Sequence, residues 1–553
     1  MTQTQPVVKA NRPYLTLVIV LSATFMQLLD ISIVNTGIPS IQESLHTTYA
    51  NIQLVLAGYQ LGFACTLITG ARLGDVYGRR KIFMVGMFLF TLTSTLCGAA
   101  TSAPLLVIGR VLQGISSGLM FPQVLSVIQV TFSPEQRGKA LSAFGAAIGL
   151  GTIMGPLAGG LLIQAHIFDD AWRAIFYVNV PIGIAALIGA WTNLSESTAP
   201  EAPNLDLPGV TLSTIGLGLL VFPLSIGREK SWPWWIIAML VASIPVLAVF
   251  AWYEKKRTAD DRSPVLDTRL FDDKAFRIGA LLSSVFFAGI PSFFFTFTLY
   301  IQVGMGYTAL GAGLTTFVFS IGTAIGSARS DPIARRLGPR ILQVGTALLV
   351  LGMLITILTI HLVGTHPHSY EFIPAFVIAG LGLGFFVAPV TNLILSAIPP
   401  QRAGAAAGAL SSVQQVGGAL GVAVIGVVLF GFLGANAKSS TDAVRPRLEA
   451  VAAQNGIPAS ALETKFADCY SRQAHSPDPR ATPSGCERPQ GALGTQIGQV
   501  GLLATRHNFE KTIQETLVLS ALIFFSAFVI VRRLPTPRRP ATDGPPEKAV
   551  AAH

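Results

Sequence analysis

Runs of about 20 apolar residues, each with little or no formal charge, recur along the whole of this 553-residue chain, and a run of that length is what an α-helix needs to cross a bilayer. Fourteen can be counted, beginning near Tyr14, Thr48, Ile82, Leu105, Ala140, Ala174, Leu207, Pro233, Ile278, Ala309, Ile341, Phe372, Ala403 and Thr516. Composition leaves no other solvent for them. Hydrophobic residues make up 51% of the chain and charged residues 12%, against about 25% charged in a soluble domain. The expected fold class is an all-α membrane protein, and a soluble enzyme is excluded.

Lys and Arg outnumber Asp and Glu 38 to 28, which in a soluble protein would raise the question of nucleic acid. Here the excess sits largely in short loops and tails, where anionic lipid and the positive-inside rule favour it. Membrane lipid is therefore an expected partner and nucleic acid is not. Arg72, Arg79, Arg80 and Lys81 fall on the same side as Arg137 and Lys139, and as Arg329, Arg335, Arg336 and Arg340; that side reads as cytoplasmic. Lys9 and Arg12, with Arg532, Arg533, Arg538 and Arg539, place both termini there too, so the number of spans is even. The first run lacks a following A-x-A-like cleavage site and reads as a retained helix rather than a signal peptide.

Residues 195–206 depart from the pattern, carrying Glu196, Glu201 and Asp206 with no Lys or Arg; acidic residues count for little in the rule. Twelve spans would satisfy the same charge test if the pair over 207–252 were dropped. Both LPGVTLSTIGLGLLVFPLSI and PWWIIAMLVASIPVLAVFAW are long and free of formal charge, so fourteen is the better count.

An internal echo points to two related halves: Asp75 precedes Arg79-Arg80, and Asp331 precedes Arg335-Arg336, each after the second span of its half. With the span count this suggests two parallel-repeated six-helix bundles plus two additional helices. The expected division is an N-terminal six-helix bundle over 1–194, two linking helices and a cytoplasmic loop over 195–275, and five helices of a C-terminal bundle over 276–433. An external loop over 434–511, a last membrane helix over 512–534 and a disordered cytoplasmic tail over 535–553 complete it. The polar, proline-bearing composition of 434–511 suits an exposed loop rather than a packed domain.

Asp30 and Arg110 are the two formal charges deep within the runs, and an ionisable group there marks a functional site by default. At about 1.5 Å per residue they lie roughly 6 and 8 Å from the outer ends of the first and fourth helices, at matched depth. Burial favours the neutral form of a carboxyl and a neighbouring guanidinium favours the ionised one, so such a pair can gain and lose a proton. The alternative is a static ion pair.

The fifth run contains Gly151, Gly155, Pro156, Gly159 and Gly160. Small residues four apart let helix backbones approach closely and Pro permits a kink, as a seam between rocking bundles requires, although glycine is common in any membrane helix. Gln414 and Gln415 either bond a neighbouring helix or face a cavity. The aromatic series Phe286, Phe287, Phe293, Phe294, Phe295 and Phe297 either lines a cavity for flat hydrophobic or cationic ligands or faces lipid. Gln113 and Phe294 join the two glutamines as candidate cavity residues. His361, His366 and His368 have no carboxylate or cysteine partners in sequence and read as solvated, so no catalytic or metal-binding constellation is expected. Cys469 and Cys486 share the external segment and either form a disulfide or remain two free thiols; no pair among the four cysteines has metal-ligand spacing.

These motifs together resemble the major facilitator superfamily, and within it the fourteen-span drug:proton antiporters. LDISIVNTGIP (Leu29 to Pro39) is similar to their first-helix motif, and GARLGDVYGRRK (Gly70 to Lys81) to the superfamily's loop motif, with Ala71 where glycine is usual. Arg110-x2-Gln113-Gly114 is similar to the fourth-span motif and Gly151 to Gly160 to the antiporter motif. Trp172-Arg173, FYVNVPIG, LDLPG, Tyr300-Ile301-Gln302 and QQVGGALG resemble signatures of the fourteen-span branch; the Asp331 loop is degenerate. The resemblance implies a secondary transporter, not an enzyme, that exports small hydrophobic or amphipathic drugs across the cytoplasmic membrane. It implies a proton gradient as drive and no cofactor, with Asp30 and Arg110 in proton coupling and Asp75, Arg79 and Arg80 in a gating interlock. A monomer is expected. Alternatives on this architecture are an exporter of an endogenous lipid, siderophore or other metabolite, and a non-transporting sensor.

Overall fold

The computed structural model describes residues 12–535, apart from 48, 166, 199–205, 228–229, 231, 261–263, 265, 397, 399–402, 477–482 and 488. Among the described residues every regular element is helical, as lipid demands of a chain whose backbone groups find no water. The first eight long helices are α1 (Pro13–Ser44), α2 (Tyr49–Tyr77), α3 (Arg79–Gly98), α4 (Ala103–Thr131), α5 (Pro134–Gln164), α6 (Ala171–Asn193), α7 (Leu207–Ile226) and α8 (Trp234–Ala259). Then come α9 (Lys274–Leu299), α10 (Ala309–Leu337), α11 (Arg340–Val363), α12 (Ile373–Ser396), α13 (Ala403–Ala435), α14 (Ala437–Asn455), α15 (Ala459–His475) and α16 (Ala492–Val531). The tail beyond residue 535 lies outside the described residues.

Thirteen of these helices are long and apolar enough to cross a membrane, and α5, bent by 42° between Thr152 and Leu157, makes fourteen. α6 is a composite span whose last helical segment starts at Asn179. A single π turn, Tyr300–Gly304, ends the ninth span. Gly78, at φ 108°, sits in a left-handed conformation that lets α3 start one residue after α2 stops.

Helices α1–α6 form one bundle, and α9–α13 with α16 form the second. The hairpin α7–α8 packs on α2 and α13. Burial separates centre from periphery: 72% of the apolar window of α4 is covered by protein, against 17% for α8, so α8 presents its surface to lipid. Its Trp234 and Trp252 are exposed near the two ends, as interfacial tryptophans are.

The acidic loop after α6 has a local explanation. The Glu196 carboxylate accepts from the Arg80 and Lys81 amides, at 3.1 and 3.2 Å, capping the positive end of α3. Asp206, 1% exposed, accepts from the Gly209 amide at the start of α7 at 3.1 Å and pairs with Arg257 of α8 at 3.0 Å. Two of the three anomalous acids are thus anchors; Glu201 lies outside the described residues.

The segment 434–511 corrects the expectation of an unpacked loop. It folds as α14, α15 and the first half of α16, around a small core of Val444, Leu448, Tyr470, Val500 and Ala504. Val444, Leu448 and Val451 recur at helical spacing, a stripe that polar composition masked. Cys469 and Cys486 are joined by a disulfide. The last membrane helix is the second half of α16, which continues without a break from Ala492 in the packed segment.

The seam between the two bundles also differs from expectation. Gly151, Gly155 and Gly159 face α1 of their own bundle: a Cβ at Gly151 would meet Phe25 and Leu28, one at Gly155 would overlap Ser32, and one at Gly159 would press on Ile33 and Thr36. Of the four motif glycines, Gly160 alone faces the second bundle, against Leu310. The side chain of Pro156 lies outside what is described. A different stripe makes the seam: Gly138, Ser142, Gly145 and Gly149 of α5 lie against Asp331, Ser330, Ser327 and Thr323 of α10. Ser142 and Ser330 hydroxyls meet at 2.9 Å, and Ser320 donates to the Gly149 carbonyl at 3.1 Å.

Candidate functional site

Asp30 and Arg110 are brought together in the first bundle, 0% and 1% exposed. Arg110 Nη1 donates to Asp30 Oδ2, and Asp30 Oδ1 accepts from Gln113 Nε2 and Asn179 Nδ2, each at 2.9 Å. Arg110 Nη1 also donates to Gln113 Oε1 at 2.7 Å, and the guanidinium lies over the Tyr59 ring at 4.3 Å. Asn179 reaches Ser94 Oγ at 3.0 Å, and Ser94 donates to the Phe176 carbonyl at 2.9 Å. Five helices therefore converge on one carboxylate: α1 supplies it, α4 the guanidinium and Gln113, α6 Asn179, α3 Ser94 and α2 Tyr59.

The pair carries no net charge, which is what makes its burial tolerable, and removing one partner would strand the other. A carboxylate with a guanidinium and two amide donors is well solvated by protein when ionised.

Gln113, expected in a cavity, belongs instead to this network. Asn179 and Ser94 are residues that the sequence did not single out. Asn179 stands in FYVNVPIG, whose only outward signal was a polar residue inside an apolar stretch. The neighbouring Arg173 has a structural part: its Nη1 donates to the Gly98 and Ala100 carbonyls at 2.7 and 2.9 Å, closing the end of α3. In the loop before it, hydrogen bonds from Ser44 and Arg173 hold the Asp170 carboxyl below the usual carboxylate range.

At the end of the molecule that carries the basic loops, Arg79 Nη2 pairs with Asp75 at 2.9 Å, both buried. Arg80 is more exposed; it donates to the Trp191 carbonyl at 2.7 Å and lies over the Trp191 ring. The equivalent pair in the second half, Arg335 and Asp331, is 3.2 Å apart, with the Arg335 side chain 57% exposed.

Between the bundles lies a cavity of about 70 Å³, lined from α1, α4, α5, α9, α12 and α13. Gln414 and Gln415 line it, as do Gln27, Ser411 and three aromatic rings, Phe121, Phe144 and Phe287. Phe294 does not: it packs edge-on against Phe293 and Phe319, with ring centroids 5.2 and 5.0 Å away. Of the aromatic series only Phe287 reaches the cavity. Gln27 precedes Asp30 by three residues, placing cavity and carboxylate within one turn of the same helix. Among the described residues no group of three or more His, Cys, Asp or Glu side chains is placed to hold a metal.

Residues 20–422 match the sequence model described as "Major Facilitator Superfamily". A relative from Streptomyces coelicolor, described as "Probable actinorhodin transporter", is 34% identical over 95% of this chain and 92% of its own. The "Tetracenomycin C resistance and export protein" of Streptomyces glaucescens is 33% identical over 84% of this chain and 87% of its own. Among solved structures, the proton:xylose symporter XylE superposes with a TM-score of 0.54 at 16% identity, covering 74% of this chain and 88% of that one; that likeness concerns the fold.

Proposed function

The chain belongs to the major facilitator superfamily, and on that premise we propose that it exports small hydrophobic or amphipathic compounds in exchange for protons by alternating access. One observation carries the reading: a buried carboxylate, neutralised by Arg110, sits one helical turn from a cavity between the bundles. A proton on Asp30 would release its hold on Arg110, Gln113 and Asn179 and free α1 to move against α4 and α6. Movement of α1 changes the wall that Gln27 contributes to the cavity. Substrate and proton thereby compete through one helix.

In this reading the basic end is cytoplasmic, with both termini there, in the cell membrane, and a monomer in lipid suffices. The proton gradient replaces any cofactor. Asp75 with Arg79, and the α5–α10 seam, keep that end shut until the carboxylate changes state. The relatives named for antibiotic transport and export favour a drug-like or antibiotic-like substrate.

Reconstitution into proteoliposomes tests the reading. An imposed pH gradient should drive substrate movement by the intact protein, and Asp30→Asn, which leaves Arg110 without its counter-charge and should melt lower, should lose gradient dependence in the protein that remains folded. Undiminished gradient-driven transport by that variant would remove Asp30 from the coupling.

A further inference from the structure

The polar groups of the cavity point to the substrate's chemistry, on the premise that the cavity is the export site. The buried Gln27 Oε1 and Ser411 Oγ meet no hydrogen-bond partner. Both residues are 2% exposed, on opposite bundles. A buried polar atom without a partner is costly, and three aromatic rings and neighbouring Gln414 and Gln415 share the same space. Amides and a hydroxyl supply both donors and acceptors, matched to a ligand that carries hydroxyl and carbonyl groups around an apolar ring system.

Charge sharpens the match. Every residue lining the cavity is uncharged. The formal charge nearest in sequence to Gln27, Asp30, is already engaged by Arg110, Gln113 and Asn179. A permanent cation entering here would lose its hydration and find no counter-ion, and aromatic faces alone do not offset that loss. A permanent anion faces the same difficulty.

We infer that the site selects uncharged, flat polycyclic compounds bearing hydroxyl or carbonyl groups, and rejects permanently charged ones. At about 70 Å³ the cavity holds a few waters in this conformation. A flat ring system enters as the bundles part, with Phe121 and Phe144 on one side and Phe287 on the other. Gln27 and Ser411 then receive the partners they lack.

Proteoliposomes of the full chain under an imposed pH gradient provide the test, with a dihydroxyanthraquinone, tetraphenylphosphonium and ethidium as probes. The expected result is gradient-driven movement of the anthraquinone, with both cations at the level of protein-free vesicles. Gln27→Leu should raise KM for the anthraquinone about tenfold with little change in kcat, a split that general damage to the fold would not produce. Gln414→Glu should admit tetraphenylphosphonium. Transport of the cations by the unaltered protein as fast as the anthraquinone overturns the inference and leaves the export reading standing. Movement of none of the three, together with none of a broader set of drugs, overturns the export reading and this inference with it.

Discussion

The two halves of the molecule bury different things. All charged side chains buried among the described residues, Asp30, Arg72, Asp75, Arg79, Arg110, Asp206 and Glu254, lie in the first bundle or the α7–α8 hairpin. Both bundles bury rings, but the second buries them without buried charge, in a connected cluster: Phe286 stacks on Phe386 with centroids 3.6 Å apart, and Phe297 meets Phe372 and Phe376 at 5.3 and 4.8 Å. Buried charge is held by directional contacts that have discrete alternatives, whereas a ring cluster is held by area and close packing. The contacts that distinguish the first half are thus of the kind that can switch between discrete arrangements, and those of the second are of the kind that hold helices together by packing alone.

The largest effect should come from Arg110→Ala, which strands Asp30 in a dry interior. A loss of about 3–5 kcal/mol is expected, read as a steep fall in thermal stability in detergent, with gradient-driven transport abolished. If that variant folds and transports normally, the first half does not depend on its charges. Phe386→Ala should cost a comparable 3–5 kcal/mol or so through the cavity it leaves, but the protein that remains folded should keep its number of protons per substrate. A changed stoichiometry would mean that the second half also takes part in coupling.

Asn179→Ala removes one buried donor from Asp30 and should lower stability by about 1.5–3 kcal/mol, one lost hydrogen bond to a charge, read as a modest fall in melting temperature together with slower gradient-driven transport. The smallest effect belongs to Arg335→Ala. Its partnership with Asp331 is half in solvent, so a stability change of about 1 kcal/mol or less is expected, whereas Arg79→Ala should cost clearly more at the buried equivalent. Equal effects at the two positions would erase the asymmetry between the halves.

Asp30 and Arg110 were legible because a charge in an otherwise apolar run stands out against the cost of putting it there. Helix rise alone placed them at one depth. Asn179 and Ser94 were not, since an uncharged polar residue near the end of a span is ordinary and which helices converge depends on packing over long sequence separations. The same limit explains the glycines. Two stripes of small residues run along α5, and spacing cannot say that Gly151, Gly155 and Gly159 turn to α1 while Gly138, Gly145 and Gly149 turn to α10. Composition misled over 434–511, where a short amphipathic hairpin carries too little apolar surface to stand out from a polar loop.

Helix α16 runs unbroken for 40 residues, about 60 Å, twice the thickness of a bilayer core. Its membrane half packs on α9 and α11 and its distal half on α14, so the hairpin is fastened to a lever arm rather than tethered by a flexible linker. A rotation of the second bundle by roughly 10° would sweep a point ~30 Å further along that arm through about 5 Å. A fluorophore at the exposed hairpin tip, near Asn455, would register the transport cycle from outside the membrane, amplified by the length of a single helix.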